Sequence, residues 1–366
     1  MKIVVINPIL YTCETNVIKK VKSIKDCMVY NLCLEMKRQG HEPVLIAAKD
    51  YEPIEKDDYD FEVIFLETIM PKIFKTNCFP FLKNLRKTLD NIRFDFIISS
   101  EVFSMNSWIV SRYFKNQTII WHELAKHNNM MRKIPSKIWY NFIARVFFHN
   151  TKIVARSKNA QDFIKKYCNH VSDEIIDHGV DLEEFVPVRE KEKQFVVVSQ
   201  LIERKHIDGI IKAFSGFVKQ NENFKLVIIG SGEKEVDLKK LTAELGMETN
   251  IEWKGQMSHK EMIPILSRSY ALVINTEKDN SMLSIVESIA TGTPIITTPI
   301  PYNCDYIAQY QLGIITASLS KNDFAIMVKE NGEYVENCFA YRDKVSNEYH
   351  IKQFVCEFER MNLKGV

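Results

Sequence analysis

Ala271-Leu272-Val273-Ile274, then Asp279-Asn280-Ser281-Met282-Leu283-Ser284-Ile285-Val286-Glu287-Ser288-Ile289-Ala290, then Thr291-Gly292-Thr293-Pro294-Ile295-Ile296-Thr297, reads as strand, helix and strand in succession. The first and last apolar runs are short, as strands buried on both faces are. The middle segment is helical and ends near Thr291-Gly292. Glycine caps a helix there, and Pro294 cannot continue it. Two such strands joined by a helix run parallel. Outward from this unit the pattern repeats. Apolar runs occur at 3–6, 43–47, 63–66, 94–98, 118–121, 152–155, 195–199, 225–229 and 251–253. Helix-period segments lie between many of them. Ile207, Ile210, Ile211, Phe214, Phe217 and Val218 form one such stripe. Ser258 with Glu261 forms a capping-box signal before Met262, Ile263 and Ile265, and Gly40 follows a helical pattern that ends at Arg38-Gln39. The βαβα order predicts an α/β fold with parallel, doubly wound sheets.

The chain has 366 residues, 46% of them hydrophobic, which suits two domains. The polar stretch 188–194 interrupts the alternation before a fresh buried strand. The predicted division is therefore 1–187, 188–345 and a C-terminal helical segment 346–366, with Phe354, Phe358 and Met361 at helical spacing. A net charge of +2 gives no reason to expect nucleic acid as a partner. The eight cysteines form no CxxC pair and fall largely within apolar patterns, which fits reduced thiols in a cytoplasmic protein. The first residues lack a signal-peptide cleavage site, and no apolar run approaches membrane-spanning length. Two stretches are basic, 71–93 and 122–158, with aromatic residues such as Phe79, Trp139, Phe142 and Phe147 between the charges. They fit an anionic membrane surface or a phosphorylated acceptor, and equally a solvated helix face over core aromatics.

Phosphate binding usually needs glycine, because backbone N–H groups must approach the anion closely. The first 178 residues contain a single glycine, Gly40. That excludes the Gly-rich turn of a dinucleotide dehydrogenase and the P-loop of an NTPase. Gly230-Ser231-Gly232-Glu233 follows the run 226–229 and opens a helix. It suits a phosphate or ribose neighbour, and it also suits a plain tight turn. The helix beginning near Ser281 presents its free N–H groups and positive dipole end at the carboxyl end of a parallel strand, which suits a diphosphate. Asp279 lies just before that turn and Glu287 two turns along, so the two acids flank one elongated ligand. The alternative is an N-cap Asp and one polar residue on a half-buried helix.

Val286-Glu287-Ser288-Ile289-Ala290-Thr291-Gly292-Thr293-Pro294-Ile295-Ile296, with an acid eight residues before Glu287, resembles the E-x7-E signature of retaining glycosyltransferases of family 4. Four further segments resemble that family in order and spacing. They are Val198-Ser199-Gln200-Leu201-Ile202-Glu203-Arg204-Lys205, Ile229-Gly230-Ser231-Gly232, Trp253-Lys254-Gly255 and Asp177-His178-Gly179-Val180-Asp181-Leu182-Glu183-Glu184-Phe185. The resemblance implies a GT-B fold, two Rossmann-like domains facing across a cleft, with the last helix returning to the first domain as a hinge for closure. It implies metal-independent, retaining transfer of a sugar from a nucleotide-diphosphate sugar to a glycan or lipid-linked acceptor, at the inner membrane face. The nucleotide sugar is a co-substrate and no cofactor is expected.

By the same resemblance Glu287 holds the donor ribose, Asp279 contacts donor-sugar hydroxyls, and Lys205 neutralises the departing diphosphate with Arg204 beside it. Gly230, Gly232, Ser281, Met282, Leu283 and Trp253 complete the donor-binding set. Four positions depart from the pattern. Asp279 replaces a Glu, Asn280 and Met282 replace glycines, and Gln200 replaces an Arg. In the first half Trp121-His122-Glu123 ends a predicted strand, and His122 takes the place of a His that contacts donor sugar or acceptor. The segment from Thr12 to Lys25 replaces the family's Gly-Gly loop. His122 and His127 in HExxxH do not share a helix face, so no metal is expected there. Asp58-Tyr59-Asp60 reads as a solvated turn rather than a metal-binding D-x-D. Two other functions remain compatible with the sequence. One is a nucleotide-sugar epimerase or phosphorylase on the same fold, and the other is an inactive nucleotide-sugar-binding module.

Overall fold

Thirteen strands form two sheets in the computed structural model, which describes residues 1–11, 18, 21–55, 57–75 and 77–363. The first sheet contains β1 (Lys2–Ile6), β2 (Glu42–Ala48), β3 (Glu62–Leu66), β4 (Phe96–Ser100), β5 (Thr118–His122), β6 (Lys152–Ala155) and β7 (Val171–Ile175). Its order is β3-β2-β1-β4-β5-β6-β7, and every pairing is parallel. The second contains β8 (Glu192–Val198), β9 (Lys225–Ile229), β10 (Ile251–Gly255), β11 (Ser269–Val273), β12 (Ile295–Thr297) and β13 (Gly313–Ile315). Its order is β10-β9-β8-β11-β12-β13, again all parallel. Each order reverses direction once, at β1/β4 and at β8/β11. Those are the points where such sheets open a crevice at their strand ends.

Each apolar run of the sequence became a strand. Two strands have no such run. Residues Val171–Ile175 read Val-Ser-Asp-Glu-Ile, and β13 is three residues long. Both lie at the edge of a sheet, where half the strand faces solvent, so no continuous apolar pattern is required. The helix Ile207–Val218 buries the six side chains of its predicted stripe, each stabilising by roughly 1.5–3 kcal/mol. Gly40 and Gly292 follow the caps of their helices at φ of +81° and +69°, and the Ser258–Glu261 capping box is formed.

The chain divides into two compact units. Residues 1–179 and 347–366 form the first, and 180–346 form the second. Residues 180–187, which the sequence grouped with the first half, therefore belong to the second unit. The two passages of chain between the units pair at Val180 and Ser346. Gly179 is required there, since a Cβ would lie 2.7 Å from Asn347 Oδ1. The helix Asn347–Leu363 buries Ile351, Phe354 and Phe358 in the core of the first unit, with Phe358 stacked on Phe96 at 4.5 Å. Of the described cysteines, Cys27, Cys33, Cys168 and Cys338 are buried, while Cys78 and Cys356 are exposed. Among the described residues no helix is long and apolar enough to cross a membrane.

Candidate active site

In the second unit the segments that follow β8, β9 and β11 meet at the strand carboxyl ends. After β8 the chain makes a tight turn over Glu203–Lys205, then places His206 at φ +42°, ψ +45°. Left-handed backbone at a non-glycine residue costs free energy and persists only where its surroundings fix it. Here Asn275 Nδ2 donates to the His206 carbonyl at 3.0 Å, and His206 Nε2 lies 3.1 Å from Glu277 Oε2. The turn sends Arg204 and Lys205 towards the loop after β11. Lys205 Nζ lies 2.8 Å from Asp279 Oδ2, and Arg204 Nη1 lies 3.0 Å from Asp279 Oδ1. Thr276 Oγ1 donates to Asp279 Oδ2 at 2.6 Å, and Arg204 Nη1 also donates to the Lys278 carbonyl at 2.8 Å. Two cations on one carboxylate leave the cluster with a net positive charge. Lys205 is nearly buried, which strengthens its field at a neighbouring anion.

The glycines after β9 have an immediate structural reason. Gly230 stands at φ +136°, and a Cβ on it would lie 1.8 Å from the Ser199 carbonyl. A Cβ on Gly232 would lie 2.4 Å from the Leu201 carbonyl. Leu201 N–H donates to the Ser231 carbonyl at 3.0 Å, and Gly230 N–H to that of Gly255 at 2.8 Å. The turns after β8, β9 and β10 therefore pack backbone on backbone, which only glycine permits. Trp253 pairs with Ile228 in the ladder; its ring packs against the core, with Lys239 Nζ 5.7 Å from its centroid.

The helix Leu283–Ala290 begins at Met282, which offers no side-chain cap. Of its first N–H groups, that of Ile285 donates to the Met282 carbonyl at 3.1 Å instead of to a side-chain cap. Met282 N–H itself donates to Asn303 Oδ1 at 2.6 Å, and Asn303 is fully buried. Ser281 and Leu283 flank this cap. Glu287 points inward, 3% exposed, with Oε1 at 3.1 Å from Nδ1 of the exposed His259. Thus Asp279, Arg204 and Lys205 touch one another, Gly230 and Gly232 shape the adjoining turns, and Glu287 stands on the helix whose start adjoins Asp279. His259, Thr276 and Asn303 were not singled out from the sequence. His259 was visible only as part of a capping box, while Thr276 and Asn303 carry no motif.

His122 belongs to the first unit, at the end of β5. It is fully buried, and its Nδ1–H donates to Glu101 Oε2 at 3.0 Å. Glu101 sits at φ +67° just after β4, and accepts N–H groups from Glu123 and Leu124. Burial works against its charge, but the His122 ring, the Glu123 N–H and Arg156 together hold its carboxyl below the usual carboxylate range. Glu101 orients the ring and fixes the tautomer that leaves Nε2 without a proton when the ring is neutral. Arg156 lies 3.7 Å over the Trp121 ring and 3.0 Å from Glu123 Oε2. Asp60 of the D-x-D turn accepts from Tyr30 Oη at 2.7 Å. Of the segment Thr12 to Lys25, residues 12–17, 19 and 20 lie outside the described residues.

The model of the family described as Glycosyl transferases group 1 matches residues 181–330, and that of Glycosyltransferase Family 4 matches residues 28–184. The chain belongs to glycosyltransferase family 4. This glycosyltransferase is 22% identical over 318 residues to the alpha-monoglucosyldiacylglycerol synthase of Streptococcus pneumoniae, covering 78% of this chain and 70% of that one. It is 25% identical over 191 residues to the O-antigen chain mannosyltransferase RfbU of Salmonella typhimurium, covering 51% and 53%. In fold it resembles the sucrose-phosphate synthase of Thermosynechococcus elongatus, with a TM-score of 0.69 at 15% identity and 99% coverage of both chains. The two parallel sheets are those of the GT-B fold.

Proposed function

We propose that this glycosyltransferase moves a sugar from a nucleotide-diphosphate donor to a glycan or lipid-linked acceptor at the inner membrane face, with retention of configuration and without a metal. The observation that carries the reading is the cluster of Arg204, Lys205 and Asp279 beside the start of the helix Leu283–Ala290. The donor diphosphate takes the N–H groups of that helix terminus and the two cations. Lys205 and Arg204 then stabilise the charge that develops on the leaving group, the task a divalent ion performs elsewhere. Glu287 binds the ribose hydroxyls, which a carboxylate accepts and a phosphate site does not. Asp279, Ser281 and Met282 border the sugar, and the Trp253–Gly255 backbone adjoins the base. His122, fixed by Glu101, is assigned to a sugar or acceptor hydroxyl.

In the reaction the bond from the anomeric carbon to the diphosphate oxygen breaks, and the acceptor oxygen bonds to that carbon on the same face. The acceptor proton passes to the departing diphosphate. Its name gives the Streptococcus pneumoniae relative a glucosylated diacylglycerol as product, which favours a lipid acceptor here. A thermal-shift screen over nucleotide sugars identifies the donor. Proton NMR of the product then reads the anomeric coupling, with and without EDTA. The expected result is the donor's own configuration, an acceptor requirement and no effect of EDTA. An inverted product, or loss of activity in EDTA, overturns retention or metal independence. Turnover without an acceptor alcohol indicates an epimerase or phosphorylase instead.

A further inference from the structure

The helical stretch over residues 134–147 has two opposite faces. Ser136, Tyr140, Ala144 and Phe148 are buried at four-residue spacing, and the last three join the cluster around Phe79, Phe103 and Phe163. Ile134, Ile138, Phe142 and Val146 recur at the same spacing on the other side and are 53 to 67% exposed. In an α-helix such a stripe drifts by about 40° per step. The wider π-helical turn over Trp139–Ala144 rotates less per residue and offsets that drift. Met131, 74% exposed, precedes the stripe in a turn of left-handed backbone over residues 131–133. Single exposed apolar residues need no explanation, but a row on one face does.

The charges on this face have one sign. Arg132, Lys133, Lys137 and Arg145 are exposed among the apolar residues, and no Asp or Glu occurs between Glu123 and Asp162. Arg145, His149 and Lys166 line an adjoining cavity of about 320 Å³. A second basic segment joins the first through its aromatics. Phe74 lies 5.8 Å from Phe79, and Phe79 lies 5.8 Å from Trp139, while Lys72, Ile73 and Lys75 stay exposed. A symmetric contact between two copies would set these cations against themselves with no acid to pair them. A bilayer with anionic headgroups answers both features, accepting the apolar row at the acyl boundary and the cations at the phosphates.

We propose that this face docks on an anionic lipid bilayer. Met131, Ile134, Ile138, Phe142 and Val146 enter the headgroup boundary, and Arg132, Lys133, Lys137 and Arg145 meet lipid phosphates. The inner face of the same element carries Tyr140, whose ring lies 6.2 Å from that of His122, so the docked helix and the His122 environment are packed together. The proposal deepens the membrane-side acceptor assigned above, but docking itself requires no transfer.

The test is cosedimentation of the full chain with vesicles of equimolar phosphatidylglycerol and phosphatidylcholine, against vesicles of phosphatidylcholine alone. The wild type binds the anionic vesicles, less well as salt rises. The double variant Ile138→Glu/Phe142→Glu loses at least about tenfold in affinity with unchanged thermal unfolding. Lys133→Gln/Lys137→Gln loses affinity only for the anionic vesicles. Absence of binding, undiminished binding by the first variant, or a dimer that this variant dissolves while vesicle binding stays, each overturns the proposal. Transfer to a soluble acceptor, measured on the same variants, stays at the wild-type rate. Vesicle binding without transfer by the wild type upholds docking and rejects the reaction.

Discussion

Asp279 ties the loop after β11 to the turn after β8. Its carboxylate accepts from Thr276 and holds Arg204 and Lys205. It holds the two cations together, and in the proposed reaction the incoming diphosphate competes with it for them. The one-methylene difference from Glu matters for this, since the shorter side chain keeps the carboxylate close to its own loop. The resemblance to family 4 singled out Asp279, Glu287 and Lys205, whereas spacing alone left the two acids open to a purely structural reading. Neither exposed Glu101 or His259, whose roles depend on a neighbour far away in sequence. Glu101 supports a test in acid. Its folded-state carboxyl lies below its ordinary value of 4.5, so it contributes stability above that pH and loses it as pH falls through the folded value. Glu101→Gln therefore lowers stability at pH 7 by about 1–2 kcal/mol, and the deficit shrinks below pH 4.5 in denaturant titrations. A deficit independent of pH would deny Glu101 its charged contact with His122.

Among the elements, the three turns after β8, β9 and β10 decide the shape of the second unit's strand ends. The Gly230-Ser231-Gly232 turn was open to two readings in the sequence, and its packing supplies a reason independent of any ligand. Gly230→Ala would force a Cβ into the Ser199 carbonyl and a side chain into a backbone region L residues avoid. We expect a loss of roughly 3 kcal/mol, read as a lower urea midpoint for the second unit. An unchanged midpoint would show that the turn has room to move. The buried strands and the amphipathic helices were legible because burial on two faces, or on one, writes a period into the sequence. The edge strands β7 and β13 were not, since an edge asks for no such period. The outward row from Ile134 to Val146 was not legible either. The basic stretch 122–158 suited an anionic membrane surface, a phosphorylated acceptor or a solvated face over core aromatics, and only the buried positions Ser136, Tyr140 and Ala144 show that the core uses the other face.

For the whole molecule, a family 4 glycosyltransferase is built as two parallel-sheet units, each with its own core and its own reversal of strand order. The order of elements and five motifs in register made that architecture readable. The sites of passage between the units were less so, because residues 180–187 are polar and apolar by turns while they pack into the second unit. In the proposed function the second unit binds a nucleotide-sugar donor through Glu287 and the start of its helix. Glu287 is buried, and Oε1 lies 3.1 Å from Nδ1 of the exposed His259, so Glu287→Ala removes the proposed ribose contact without opening a salt bridge between buried groups. The most direct measurement is donor titration by calorimetry, followed by transfer assay, on wild type and Glu287→Ala. The wild type binds and turns over its donor, and the variant, still folded by thermal unfolding, does neither. Retained transfer by folded Glu287→Ala would rule out donor binding through Glu287.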